Sequence, residues 1–295
     1  MSLLELEYTI VDAFTSSVFA GNPAAVIVLP PGSEAARLPD ATLQLIAREF
    51  NLSETAYISP TETEGVYGLR WFTPTSEVKL CGHATLASAH FLLSQSAKGA
   101  RVSFDTRWSG RLEVAKHDNG MIEMEFPAGV PEPVSSDERD NVLTIVRGAL
   151  GVTAKDLRAE FVGAVPGTSF STYLLIHLDD EFDLAAATVN AGSLTALAPR
   201  GIIILTNRCA PSGKHFASRV FGPLFGVPED PVCGSAHCLL TTYWSQKLGE
   251  RTLAAKQISA RTGDLEVEWV PERALVKLRG NAVVAAKGVI YVPRD

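Results

Sequence analysis

The sequence predicts an α+β protein of two similar lobes, each a curved, mostly antiparallel sheet wrapped around one central helix. Three observations lead there. A Cys-Gly motif occurs twice, as Leu80-Cys81-Gly82-His83-Ala84-Thr85 and as Glu229-Asp230-Pro231-Val232-Cys233-Gly234-Ser235-Ala236-His237, with the two cysteines 152 positions apart in a chain of 295 residues. Each motif opens an apolar run of helical length. Around each run, short extended segments alternate with helical ones, the pattern of mixed α and β structure. A chain of this length can form two domains, each with its own core. The expected division is an N-terminal lobe over 1–127, completed by a C-terminal strand near 288–293, and a C-terminal lobe over 128–287.

The first lobe opens with a strand over Glu5 to Phe14 and a second over Ala24 to Leu29, joined by Phe19-Ala20-Gly21-Asn22-Pro23, a turn by composition. Asp40 is placed to cap a helix whose Leu43, Ile46, Ala47 and Phe50 form one buried stripe, ending near Asn51. Glu54 to Ile58 resumes as a strand, followed by Gly68 to Phe72. After the first Cys-Gly motif, His83 to Leu93 leaves almost no polar face, as expected of a helix surrounded by protein. Strands follow at Arg101 to Phe104, Arg111 to Ala115 and Met121 to Phe126. Pro127-Ala128-Gly129-Val130-Pro131-Glu132-Pro133 then has the composition of a linker.

The second lobe repeats this grammar. It has a helix near Asn141 to Leu150, strands at Thr172 to Leu178, Gly201 to Leu205 and Phe216 to Phe221, and the second motif. Its helix, Ser235 to Leu248, is apolar and ends at Gly249, a suitable C-terminal cap. Short strands at Asp264 to Val270, Leu275 to Leu278, Val283 to Ala286 and Val289 to Val292 close the chain.

Composition limits the function. The apolar fraction is 46% and the charged fraction 20%, with no run of about 20 apolar residues long enough to cross a membrane. A net charge of −7 without basic clusters argues against nucleic acid as a partner. The N-terminal Met1-Ser2-Leu3-Leu4-Glu5 lacks the basic and apolar regions of a secretory signal, which points to a cytoplasmic protein. Four scattered cysteines, Cys81, Cys209, Cys233 and Cys238, then read as thiols, with Cys209 and Cys238 structural.

The repeated motif carries the chemistry. A helix start presents unpaired N–H groups and the positive end of the helix dipole, which attracts anions and lowers the pKa of a thiol placed there. Gly82 and Gly234 allow a ligand close to the backbone. Two such starts facing each other would make a cleft for a small carboxylate-bearing substrate. A single Cys-Gly pair would read as the start of a packed helix with a buried thiol, but its recurrence favours function. His83 and His237 lie in first turns, where the dipole disfavours a protonated ring, so each is expected to be neutral. Glu54 at a helix-to-strand junction and Asp230 before Pro231 are further candidates. As metal ligands, Cys81, His83, Cys233, His237 and Cys238 have spacings that match no common zinc pattern. There is no Gly-x-Gly-x-x-Gly or Gly-x4-Gly-Lys-Ser/Thr loop for a nucleotide cofactor.

The strings Val11-Asp12-Ala13-Phe14-Thr15, Gly21-Asn22-Pro23-Ala24-Ala25-Val26, Asn51-Leu52-Ser53-Glu54-Thr55, Leu69-Arg70-Trp71-Phe72-Thr73-Pro74 and the two Cys-Gly motifs resemble the phenazine-biosynthesis PhzF-like family, in family order and over most of the chain. Tyr243-Trp244-Ser245-Gln246 and Leu278-Arg279-Gly280 add a likeness to its eukaryotic phenazine-biosynthesis-like domain proteins. The resemblance implies the diaminopimelate-epimerase-like fold with an active site in the cleft between lobes. It implies a cofactor-independent isomerase, commonly a homodimer, that moves a proton within a small carboxylic acid. Carried over by position, Glu54 would be the general acid/base and His83 and Asp230 would assist. Asn22, Gly82, Gly234 and Ser235 would bind substrate. Cys81 and Cys233 stand where two-cysteine proline racemases and diaminopimelate epimerases keep their acid and base, so a racemase or epimerase using that pair is the alternative. A binding or regulatory protein on an enzyme fold is a third reading.

Overall fold

The computed structural model describes residues 2–94, 99–117, 119–153, 156–208, 211 and 213–294. Cys209 lies outside the described residues. The chain divides into two compact units, Met1–Glu125 with Arg279–Asp295, and Phe126–Leu278.

In the first unit the strand Leu3–Ala13 runs antiparallel both to Asn22–Val28 and, on its other side, to Ala282–Pro293. Asn22–Val28 lies parallel to Glu54–Pro60, with α1 (Asp40–Phe50) as the crossover. Glu54–Pro60 pairs antiparallel with Val66–Phe72, which lies parallel to Arg101–Thr106. The connection between those two contains α2 (Gly82–Leu93). Arg101–Thr106, Arg111–Lys116 and Ile122–Pro127 finish as an antiparallel meander. Helix α2 touches strands as far apart in this order as Ala282–Pro293 and Arg111–Lys116, so the sheet bends around it. Its sequence requires this. Ala84, Leu86, Ala87 and Ala89 are all buried, and an all-round apolar helix must be enclosed.

The second unit uses the same order of pairings. Ala159–Ala164 is antiparallel to Tyr173–Leu178, which is parallel to Ile202–Asn207. That strand is antiparallel to Phe216–Gly222, which is parallel to Thr252–Gln257, which is antiparallel to Gly263–Val270. The amphipathic α3 (Ser136–Leu150) buries Val142, Leu143, Val146 and Ala149 against this sheet's apolar core. The crossover between Phe216–Gly222 and Thr252–Gln257 carries α4 (Gly234–Leu248), topologically the counterpart of α2. The buried indole of Trp244 stacks on Phe216 and donates to Thr206 Oγ1 at 3.0 Å.

Several elements differ from the sequence reading. Asp40 is not the cap of α1. Pro39 holds that position, and the Asp40 carboxylate, in the first turn, accepts from Arg70 and Arg107 at 2.8 and 3.2 Å. The two short C-terminal strands are one, Ala282–Pro293, because Leu3–Ala13 offers a continuous edge with a single register shift at Ile10/Val11. Helix α3 starts at Ser136, earlier than expected, since the Ser135 side chain caps it by accepting the Glu138 N–H at 3.2 Å. The linker-like run is partly extended, with Glu132–Pro133 pairing on Ala159–Ala164. That latter strand and Thr252–Gln257, with their charged residues and alanines, carry no strong strand signal.

Gly21 sits at φ +67°, and a Cβ there would lie 2.1 Å from the Ala13 carbonyl oxygen. Replacing Gly21 by Ala combines backbone strain with overpacking, so a loss of about 3 kcal/mol is expected. The shift of the urea midpoint measures it.

Candidate active site

Each Cys-Gly motif starts a helix, with the cysteine at the N-cap in extended conformation and the glycine as first helical residue. The Cys81 thiol lies beside His83 and the Cys233 thiol beside Ser235.

In the first unit three sequence candidates come together. Glu54 is the first residue of its strand, and parallel pairing sets it beside Ala24, two residues past Asn22. His83, in the first turn of α2, brings Nε2 to 3.0 Å from Glu54 Oε2. This is an ion-pair contact without good hydrogen-bond alignment, since neither atom has a hydrogen-bond partner. The other ring nitrogen, Nδ1, lies 3.5 Å from Cys81 Sγ. Only 6% of the His83 side chain and 16% of the Glu54 side chain is exposed. Burial works against charge on His83, but its neighbours Cys81 and Glu54 outweigh it and hold the ring's pKa well above its ordinary value. The dipole alone would lower the ring's pKa; the Cys81 and Glu54 neighbours shift it the other way. Burial and then Glu54 push the Cys81 thiol up, partly offset by His83. Asn22 is fully buried where its strand begins, opposite Ala13.

The second unit builds a different group around the same helix start. Glu229 is engaged by Arg219, whose Nε and Nη2 meet its carboxylate at 2.7 and 2.8 Å. Asp230 is the neighbouring acid that acts on Cys233. Burial and then the Asp230 charge raise that thiol well above its ordinary value, with partial relief from Ser235. Ser235 Oγ lies 3.4 Å from Cys233 Sγ and accepts from Tyr173 Oη at 2.9 Å. The buried Gln257 clamps the turn, its Oε1 accepting the Cys233 N–H at 2.9 Å and its Nε2 donating to the Asp230 carbonyl at 2.5 Å. Ser259 Oγ donates to the Pro231 carbonyl at 2.5 Å. Tyr173, Gln257 and Ser259 were not legible as site residues. They come from strands and a loop remote in sequence and carry no motif.

His237 follows the expectation for a neutral ring. Its Nδ1–H donates to the Cys233 carbonyl at 2.7 Å, and burial lowers its pKa to about 4. In α2 the equivalent carbonyl of Cys81 accepts from Thr85 Oγ1 at 2.5 Å. Cys238 is buried, and burial raises its pKa to about 12, as a structural thiol should behave.

Among the described residues, two groups of donor atoms lie within 4.8 Å of one another: Glu54, Cys81 and His83, and Glu160, His177 and Asp180. In the first, the thiol and the carboxylate approach opposite nitrogens of His83. The second has the same opposition across His177, and Lys247 already pairs with Glu160.

Two units of like topology, each enclosing an apolar helix that starts at a Cys-Gly pair, define the diaminopimelate-epimerase-like α+β class, the fold of solved PhzF-family and epimerase structures. The chain belongs to the phenazine biosynthesis-like protein family (PhzC-PhzF), which it matches over residues 11–288. It is 40% identical over 289 residues to an uncharacterized isomerase of Pseudomonas aeruginosa, covering 97% of this chain and 99% of that one. It is 37% identical over 305 residues to phenazine biosynthesis-like domain-containing protein 1 of Mus musculus, covering 97% and 99%. A crystal structure of a PhzF-family phenazine biosynthesis protein from Enterococcus faecalis superposes with a TM-score of 0.82 at 36% identity, over 98% of this chain and 100% of that chain. No helix among the described residues is long and apolar enough to cross a membrane.

The His237 environment predicts an acid-sensitive term in stability. The unfolded side chain takes up its proton near the ordinary 6.5, the folded one at about 4. Between those values the unfolded chain binds more protons, so stability falls as pH falls, by about 3 kcal/mol over the full window. Urea midpoints at pH 7 and pH 4.5 should converge in His237→Gln, which keeps a donor near the Cys233 carbonyl without the titrating ring.

Proposed function

We propose that this protein is a cofactor-independent isomerase that moves a proton within a small carboxylic acid, with Glu54 as the shuttling base. The observation that carries the reading is the Glu54–His83 contact of 3.0 Å at the start of an enclosed helix. The names of its relatives, isomerases among them, support the reaction class.

Glu54 would take a proton from a substrate carbon next to an activating group, leaving the electron pair delocalised toward the carboxylate. The positive imidazole of His83 and the backbone N–H groups at the α2 start would stabilise that negative charge. Glu54, now protonated, would return the proton to a different carbon of the same molecule, so nothing is consumed. Asp230 is assigned an assisting role. Ser235, Gly82, Gly234 and Asn22 are assigned to holding the substrate.

The two-thiol alternative needs one thiolate and one thiol. Burial raises both, and each faces a carboxylate that raises it further, Glu54 for Cys81 and Asp230 for Cys233. As protonated thiols they are poor bases at neutral pH, which favours Glu54.

Deuterium wash-in from deuterated water, followed by NMR over a panel of amino, hydroxy and unsaturated carboxylic acids, tests the assignment. Glu54→Gln is expected to lower the exchange rate about a hundredfold or more while keeping the fold. A Cys81→Ser/Cys233→Ser variant is expected to retain exchange. The opposite pattern would transfer the chemistry to the thiols.

A further inference from the structure

The loop between the strands Leu3–Ala13 and Asn22–Val28 places Phe14, Phe19 and Gly21 in left-handed backbone, at φ 61°, 68° and 67°. Glycine adopts this conformation freely, whereas a bulky side chain there is strained. Phe14 is fully buried, so core packing offsets its strain. Phe19 has no such return. It is 80% exposed, the highest value among the large hydrophobic residues described, and Val18 beside it is also exposed.

The backbone of Phe19 is nonetheless fixed. Its N–H donates to Asp12 Oδ2 at 2.9 Å, and Asp12 is buried. Thr15 Oγ1 accepts the Ser17 N–H at 3.0 Å and braces the rest of the loop. A buried carboxylate thus holds a strained residue whose ring stands in solvent. Strain that local contacts enforce without benefit to the core is a mark of a functional position.

Sheet register places this loop. Asn22 closes it opposite Ala13, and two residues later Ala24 lies beside Glu54 on the adjacent parallel strand, about 5 Å away across the sheet. The strand starts carrying Asn22 and Glu54 share one end of the sheet, and His83 reaches Glu54 at that end. There the site offers the Glu54 carboxylate, an imidazole, a thiol and backbone amides for the polar parts of a ligand. Phe19 supplies a large apolar surface on the loop that rises from the same end.

The geometry points to Phe19 as a specificity-determining side chain that packs on the carbon skeleton of the substrate and selects carboxylic acids with an apolar or ring-containing body over short ones. This rests on the reading of the Glu54–His83 group as a carboxylic-acid site, and names the class of acid it takes.

NMR titration of the full chain with acetate and with benzoate tests it, alongside Phe19→Asn and Phe19→Leu. Asn tolerates left-handed backbone and removes the ring, and Leu keeps apolar surface. Wild type is expected to bind benzoate at least tenfold more tightly than acetate. Phe19→Asn should bring that ratio near one, and Phe19→Leu should fall between. Because its strain is relieved, Phe19→Asn should also melt about 2 °C higher. An unchanged benzoate-to-acetate ratio in Phe19→Asn overturns the proposal, as does a lower melting temperature, which would make Phe19 a structural residue. Wild type that binds neither carboxylate overturns the carboxylic-acid reading itself, and that result is visible without any variant.

Discussion

The constraint on which this structure depends is the enclosure of a helix with no polar face. Helix α2 presents alanine and leucine in every direction, and α4 buries Ala236, Leu239, Leu240 and Trp244 on different sides. A flat sheet covers one face of a helix. Covering all of them requires strands to pass around it, which is why each unit strings antiparallel and parallel pairs into one bending sheet. Enclosure also sets the site. The first turn of such a helix cannot give its N–H groups to bulk water over its whole circumference, so nearby polar groups must meet them.

The two units solve that problem with the same topology and different chemistry. Both carry a thiol at the N-cap, and both cap carbonyls are held by a side chain four residues on, Thr85 in one and His237 in the other. The carboxylates arrive by different routes. Glu54 reaches the α2 start from the head of the third strand of its unit, where the second unit has the apolar Ile202. Asp230 reaches the α4 start from the chain just before it, where the first unit has Val78. The first unit adds an imidazole between an acid and a thiol, with its pKa raised by both. The second adds only hydroxyls and an amide, from Tyr173, Ser235 and Gln257. In the proposed function, proton transfer is accordingly assigned to the first unit, and hydrogen bonding is the main feature of the second.

What was legible in the sequence follows from range. The apolar runs after Cys81 and Cys233 announced the central helices, because an uninterrupted apolar surface needs no partner to be recognised. Glu54, His83, Asp230 and Ser235 stood out by motif. Their environments did not. The pKa of His83 is raised by Cys81 and by Glu54, 29 positions earlier, and a rule based only on its helix misses both. Gln257 and Ser259 hold the turn before α4 from a strand and loop with no distinctive pattern. Ala159–Ala164 and Thr252–Gln257 escaped notice for a related reason: their strand character comes from neighbours already in place. The single strand Ala282–Pro293 looked like two, since its continuity, with an extra residue at Ala285, comes from pairing with Leu3–Ala13.

That last strand has a consequence for biosynthesis. Residues 126–278 are contiguous, so everything the second unit needs has left the ribosome once residue 278 emerges. The first unit begins earlier and finishes later, because Leu3–Ala13 keeps one edge unpaired until Ala282–Pro293 has been made. For most of translation its opening strand, with Leu4 and Leu6 among its residues, offers a free hydrogen-bonding edge of the kind that invites pairing with other chains. The alternating Glu5 and Glu7 on that strand place negative charge along the edge through this interval, and like charge discourages two nascent copies from joining there.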